Sequence, residues 1–440
     1  MFKTADVHFL RRIFSALLMV SLILLLGACT YVPADHGEPK RWVVENVSGK
    51  STAELYADLI APAVFERSDT KVINGYTIES GNLRMPDKSD GALVTVRSAE
   101  GSLTAFINKE GRRGALYVDS KGAARFNPTP YVDSNVDDQI MNPDEKIATT
   151  PVDSTNSEPK IVDVLMGYSK AGVDRMGGDV TADALAKVEY VNLVLRNSLV
   201  SNVSLRLVGI QIVEEEYPIT TETLGKVPTI FALGISKFEP DIVYGNFATI
   251  VGAAIGWGYT GGRLAIGVSS DYNTFAHEVG HNAGSSHCND NGVDNYRFGY
   301  FNGKTRSILC HGGAAPYYST PLVKDEFDLP RGNAVTADTA RVWRENAVRL
   351  SSYATFVPKA PTNFRSTNNS TRSISFAWEL SPRASKYEIW RLLEKVGESS
   401  TTAFTLQNPE RGLRRYHVVA IFEDGTKSAV SNYVWAKPLD

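Results

Sequence analysis

Cysteine and histidine are scarce in this chain of 440 residues, which has three of the first and seven of the second. Three cysteines are too few for a small scaffold held together by disulfides. Charge of one sign is also lacking. The formal net charge is -3, which leaves no basic surplus for a nucleic-acid partner. Internal repeats and low-complexity tracts are missing too. Hydrophobic residues make up 43% and charged residues 22% of the chain, a composition typical of soluble globular proteins. The length implies two or three domains.

The one long apolar run is Ile13–Leu26, IFSALLMVSLILLL. It is shorter than the roughly 20 residues of a membrane span and suits a signal h-region behind Lys3, Arg11 and Arg12. Leu26-Gly27-Ala28-Cys29 follows directly and resembles the bacterial lipoprotein lipobox, which implies lipidation of Cys29 and a membrane-anchored mature protein. Thr30, not Asp, comes next. In a Gram-negative envelope that implies the outer membrane. Export implies an oxidising compartment. Setting Cys29 aside leaves Cys288 and Cys310, which read as one disulfide or as two buried thiols.

Four segments are expected. Residues 1–28 are the signal. Residues 29–150 are β-rich, with alternation at Ala92–Val96, Leu103–Ile107 and Ala115–Val118, and end in a linker over Tyr131–Pro159 that is rich in Asp, Asn, Pro and Ser. Residues 151–357 alternate strand and helix and form an α/β (α+β) layer domain. Its strands are Ile161–Met166, Val203–Val208 and Asp241–Tyr244. Its helices carry Leu185, Val188, Val191, Leu195 and Leu199 in one case and cover Thr223–Ile235 in the other. Residues 358–440 alternate at Ile374, Phe376 and Trp378, and again at Tyr416, Val418 and Ala420. That is the pattern of a β-sandwich. This segment resembles a fibronectin type III module, which implies an extracellular or envelope protein ligand.

Against the scarcity of histidine, the stretch TFAHEVGHNAGSSHC, Thr274–Cys288, holds three of the seven. On a helix, His277 and His281 lie one turn apart on one face. Gly284 lets the chain leave the helix in a left-handed conformation, and His287 can then return to the same point. Three imidazoles with one position left open make a catalytic zinc site, whereas a structural site is closed by a fourth protein ligand. Glu278, beside the first ligand, is placed to act as general base. By chance the full H-E-x-x-H-x-x-G-x-x-H pattern would arise at a rate on the order of one in 100,000.

That pattern is the signature of metzincin metalloproteases, and residues of roughly 160–355 resemble the bacterial reprolysin-like, peptidyl-Asp metalloendopeptidase-like members. Ile161–Ser169, Arg306–Pro321 (RSILCHGGAAPYYSTP) and Ala334–Tyr353 carry the likeness alongside the zinc helix. The resemblance implies a catalytic domain with a twisted mixed sheet. It makes Leu309 the equivalent of the family's turn methionine, an apolar floor beneath the histidines. His311 stands where the family has a tyrosine, so it is either an auxiliary ligand or donor, or a solvent-facing loop residue. It also packs the segments of Cys288 and Cys310 together under the metal, where a disulfide would clamp the site.

The expected activity is zinc-dependent hydrolysis of protein or peptide substrates, with no nucleic-acid partner. An extended substrate would pair with an edge strand, either Ala253–Gly258 or Arg263–Val268, and Pro316–Tyr318 would line the pocket beyond the cut. Residues 29–150 sit where related enzymes carry a pro-region. No cysteine there can plug the zinc, so latency would need another group. Asn289–Asp294 is an Asx- and Gly-rich turn, with calcium the less favoured reading. The alternative function is a lipid-anchored adhesion protein with a degenerate protease domain.

Overall fold

The computed structural model describes residues 40–43, 60–109, 112–130, 138–141, 158–288, 292–310, 315–354, 358–422 and 425–439. Cys29, the leader, His311 and Asn289–Asn291 lie outside these. Strand predominates, at 44% against 20% helix, so the chain is a β-rich protein built from several sheets. No helix among the described residues is long and apolar enough to cross a membrane.

The first sheet is an antiparallel meander. Its strands are β1 (Lys40–Val43), β2 (Val64–Ile73), β3 (Tyr76–Arg84), β4 (Asp90–Arg97), β5 (Leu103–Lys109), β6 (Arg112–Val118) and β7 (Ala123–Pro128), with β1 added beside β7. The expected alternation falls on β4, β5 and β6. Successive residues such as Leu93 and Val94 are both buried, because both faces of the sheet are covered.

The second sheet runs β10-β9-β11-β13-β12-β8. It contains β8 (Gln139–Met141), β9 (Lys160–Ser169), β10 (Val203–Val213), β11 (Ile242–Phe247), β12 (Gly256–Thr260) and β13 (Leu264–Val268). Strands β10, β9, β11 and β13 are parallel, and β12 turns back antiparallel. Helix α1 (Lys170–Met176) follows β9, and the long α2 (Val180–Asn197) crosses the sheet. Asp179 caps α2 by accepting from the amides of Thr181 and Ala182. Leu199, expected on this helix, lies past its end at φ 56° and is exposed. The helix expected over Thr223–Ile235 is two helices, α3 (Thr221–Ile230) and α4 (Ala232–Phe238), broken at Phe231. Pro228 lacks the amide that would bond one turn back, so the helix is weak just before the break.

The two sheets share buried side chains. Ile78, Val94, Val96, Phe106 and Tyr117 of the first sheet share one core with α2 and the helix that carries His277 and His281. Phe106 stacks on Tyr272 at 4.8 Å, and Tyr272 donates to the carbonyl of Ile107 at 3.0 Å. Arg331 grips Asp90 with two bonds, at 2.8 and 2.6 Å. Each buried large side chain contributes about 1.5–3 kcal/mol. Apolar packing thus runs across the expected boundary at residue 150, and β8, on its N-terminal side, belongs to the second sheet.

Residues 362–436 form two facing sheets. One joins Thr362–Asn369, Ser373–Glu379 and Ala403–Gln407. The other joins Glu394–Ser399, Ala384–Arg391, Arg414–Phe422 and Val434–Ala436. Phe376, Trp378, Tyr387, Ile389 and Tyr416 fill the space between them, as the alternation requires.

Candidate metal centre

Helix α5 (Tyr272–Ala283) carries the first two histidines. Asp271 starts it by accepting from the amide of Thr274 at 2.9 Å. Gly284 ends it at φ 110°, in the left-handed region. At its C-terminus, Arg349 of α6 (Thr339–Leu350) donates to the carbonyls of Asn282 and Ala283 at 2.8 and 3.0 Å. A cation there complements the helix dipole. Past Gly284, the short strand Ser286–Cys288 brings His287 back to the helix.

The three Nε2 atoms converge. His277 and His281 stand 3.1 Å apart, and each is 3.2 Å from His287. His277 Nδ1 faces the carbonyl of Ile308 at 3.1 Å, and His281 Nδ1 faces that of Ser285 at 2.8 Å. A carbonyl only accepts, so each neutral ring carries its proton on Nδ1 and turns a bare lone pair inward.

A fourth group joins them, and nothing in the sequence analysis named it. Asp138, just before β8, places Oδ1 2.7 Å from His287 Nε2, 3.4 Å from His277 Nε2 and 3.5 Å from His281 Nε2. The nitrogens form a near-equilateral triangle with this oxygen at its apex. The expectation of an open fourth position is therefore not met. Asp138 lies 149 residues before His287, inside a stretch whose composition reads only as turn and linker. No spacing rule connects it to the motif. Its place is fixed by the pairing of β8 with β12.

This set can hold a metal ion. Nitrogens about 2.0–2.1 Å from a tetrahedral ion lie roughly 3.3 Å from one another, close to the separations found. One proton shared between His277 and Asp138 would satisfy that pair alone, whereas a cation at the centre satisfies all four groups. Burial works against ionisation of Asp138, but the charge and hydrogen bonds of the imidazoles hold its carboxyl well below the usual range. Burial pushes His281 and His287 down. His277 is raised, because the Asp138 carboxylate outweighs burial.

Glu278 is fully buried, and its Oε2 has no hydrogen-bond partner. Burial first, then the charge of Asp138, pushes its carboxyl well above the usual range. Two glycines of β12 make room for it. A Cβ on Gly256 would collide with Glu278 Oε1, and one on Gly258 would stand 3.0 Å from Oε2. These glycines were not singled out from the sequence. Their signal was a Gly-x-Gly in a strand, which marks close approach by another group.

Leu309 is fully buried and packs against Gly280, between the two helical histidines. Cys288 and Cys310 stand at disulfide geometry, with Cα atoms 5.0 Å apart. Two expectations need correction. Neither expected substrate edge is free: Arg263–Val268 contains β13, which lies between β11 and β12, and Ala253–Gly258 runs into β12, which lies between β13 and β8. Tyr318 lines no pocket, because it is fully buried and donates to the carbonyl of Ala276 at 2.8 Å.

Neither a protein-family model nor a curated protein matches the chain. Among solved structures, one chain described as a chaperone–substrate complex is 19% identical at a TM-score of 0.41. It covers 59% of this chain, which spans 40% of that one. A fibronectin type III domain of the human fibronectin type III domain containing protein 3 is 19% identical at a TM-score of 0.17. It covers 20% of this chain and is itself matched over 91% of its length.

Proposed function

We propose that the chain is a zinc-dependent endopeptidase of metzincin type, exported and lipid-anchored through Cys29. The observation that carries this reading is the convergence of the three imidazole Nε2 atoms beside a buried Glu278 whose Oε2 has no hydrogen-bond partner. Nitrogen-rich sites of this shape favour zinc among the common biological cations. His277, His281 and His287 would hold the ion. When bound, it supplies a Lewis acid for the scissile carbonyl and lowers the pKa of water. Glu278 accepts a proton from the attacking water at Oε2 and delivers it to the departing amine as the C–N bond breaks. Its raised affinity for protons suits a group that must both take and give one. Strand β12 would provide backbone groups for pairing with an extended peptide where β8, its neighbour on the outer side, is displaced.

A second reading is favoured by Asp138 itself. Four protein ligands close a site, and a closed site is structural. The chain would then be an envelope adhesion protein whose metal only stabilises it, with the C-terminal sandwich as its binding part. One experiment separates the two. Zinc content and cleavage of casein or a fluorogenic peptide are measured for the Asp138→Ala chain, with and without chelator. The protease reading expects chelator-sensitive cleavage that disappears in the Asp138→Ala/Glu278→Ala chain. Zinc without cleavage supports the structural reading.

A further inference from the structure

We infer that one end of the C-terminal sandwich is a membrane-docking face, which inserts Leu392 and Leu393 into an anionic bilayer and sets arginines against its headgroups. This contact is separate from any acyl chain on Cys29 and from the metal centre. The strands Ala384–Arg391 and Glu394–Ser399 are joined by a turn of two residues, since Arg391 pairs with Glu394. Such turns favour Gly, Asn or Asp, which tolerate left-handed backbone. This one is Leu392, at φ 54°, followed by Leu393. A bulky side chain is strained in that region. Both leucines also face water, Leu392 at 51% exposure and Leu393 at 95%. Neither residue helps the fold, so both point to a contact outside it.

The surroundings of the turn point to a lipid surface. The Leu392 amide donates to the Arg415 carbonyl at 3.2 Å, and Arg415 pairs in turn with Trp435. Leu413, Tyr433 and Trp435 are exposed beside the leucines. A groove of about 370 Å³ opens between the leucines and Tyr433. Indole and phenol rings suit the headgroup level of a bilayer, and aliphatic side chains suit the acyl region below it. Charge agrees. Residues 410–415 read ERGLRR, three arginines to one glutamate. Glu410 pairs with Arg391 at 2.9 Å and with Arg414 at 3.6 Å. Arg411 and Arg415 have no carboxylate partner among the described residues. The Arg415 guanidinium stacks on the Tyr433 ring at 4.4 Å, and its Nε has no hydrogen-bond partner. This cationic end belongs to a chain whose net charge is -3, and anionic headgroups complement it. A soluble anion would use the arginines and leave the leucines in water. A bilayer uses both.

The test uses residues 29–440, the chain left once the leader is removed, with Cys29→Ser so that no acyl group contributes. Co-sedimentation measures its binding to vesicles of phosphatidylglycerol with phosphatidylethanolamine, and to vesicles of phosphatidylcholine alone. The parent should prefer the anionic vesicles, and raising salt to about 0.5 M should weaken that preference. Leu392→Gly/Leu393→Ser should bind at least about tenfold more weakly. Its urea midpoint should stay level or rise, because glycine accepts the left-handed backbone without strain; a merely structural role for the leucines predicts a fall. Arg411→Gln and Arg415→Gln should each weaken binding to the anionic vesicles about fivefold and leave phosphatidylcholine binding unchanged. Equal binding by the parent and the leucine variant overturns the inference. So does failure of the parent to bind either vesicle at low salt. Self-association of the parent without lipid, lost in the leucine variant, would assign the face to a second copy of this chain and overturn the inference as well.

Discussion

Two clusters of buried polar side chains sit close in the same core, and they are built on opposite plans. In the first, the Lys187 ammonium donates to Asn246 Oδ1 at 2.7 Å and Ser269 O at 3.0 Å, and pairs with Asp183 at 2.9 Å. Asp183 also accepts from Tyr117 at 2.7 Å and Tyr168 at 2.8 Å. One cation meets one anion, and the donors have acceptors. In the second, the Nε2 atoms of His277, His281 and His287 and the Asp138 carboxylate converge on one point. A buried cluster that satisfies itself is a joint, here between β6 and α2. A convergent cluster of three imidazoles and a carboxylate can hold a metal ion.

The largest effect expected from this contrast is on catalysis. Glu278→Gln, made in the Asp138→Ala chain, should lower peptide hydrolysis by about 10²–10⁴-fold, with zinc content unchanged. Turnover and metal analysis on the same preparation check it. If Glu278 were only structural, like Asp183, turnover would hardly change. The joint should respond in the reverse sense. Lys187→Met strands the buried Asp183 charge and should cost about 3–5 kcal/mol, read by urea unfolding. Zinc per folded chain should stay the same.

The contrast also explains what could be read from the sequence. The histidines, Glu278 and Gly284 lie within one helix and its exit, so local periodicity fixes their relation. Leu93 and Val94 are successive apolar positions in β4, which announces cover on both faces. Nothing local says that α2 provides one of those covers. Asp138 and the β12 glycines act across long sequence separations. Asp138 sits among Asp, Asn and Pro, where acidic side chains ordinarily make turns. Its role depends on β8 reaching β12, a contact set by tertiary packing. For the same reason a linker-like composition conceals β8, a strand of the second sheet.

A smaller effect tests the glycine cradle. Gly256→Ala would push its methyl against Glu278 Oε1 and Thr274. Overpacking of this kind costs about 1–3 kcal/mol. The displaced carboxylate should lower turnover in the Asp138→Ala chain more than it weakens zinc binding. A loss of zinc in proportion to activity would mean that the glycine supports the ligands rather than the base.

The smallest effect concerns the floor of the metal centre. Leu309 touches the helix at Gly280, between the two histidines, and offers no donor or acceptor to the cluster. On the apolar-floor reading its part would be to fill volume beside the helix at Gly280. Leu and Met are close in volume, and such exchanges cost less than about 1.5 kcal/mol. Leu309→Met should therefore leave zinc affinity and turnover within about threefold, which corresponds to less than about 1 kcal/mol. Leu309→Ala should do more, since removing a buried leucine costs about 2–5 kcal/mol. If both variants lost zinc equally, side-chain chemistry at this position would matter more than volume, and the apolar-floor account would fail.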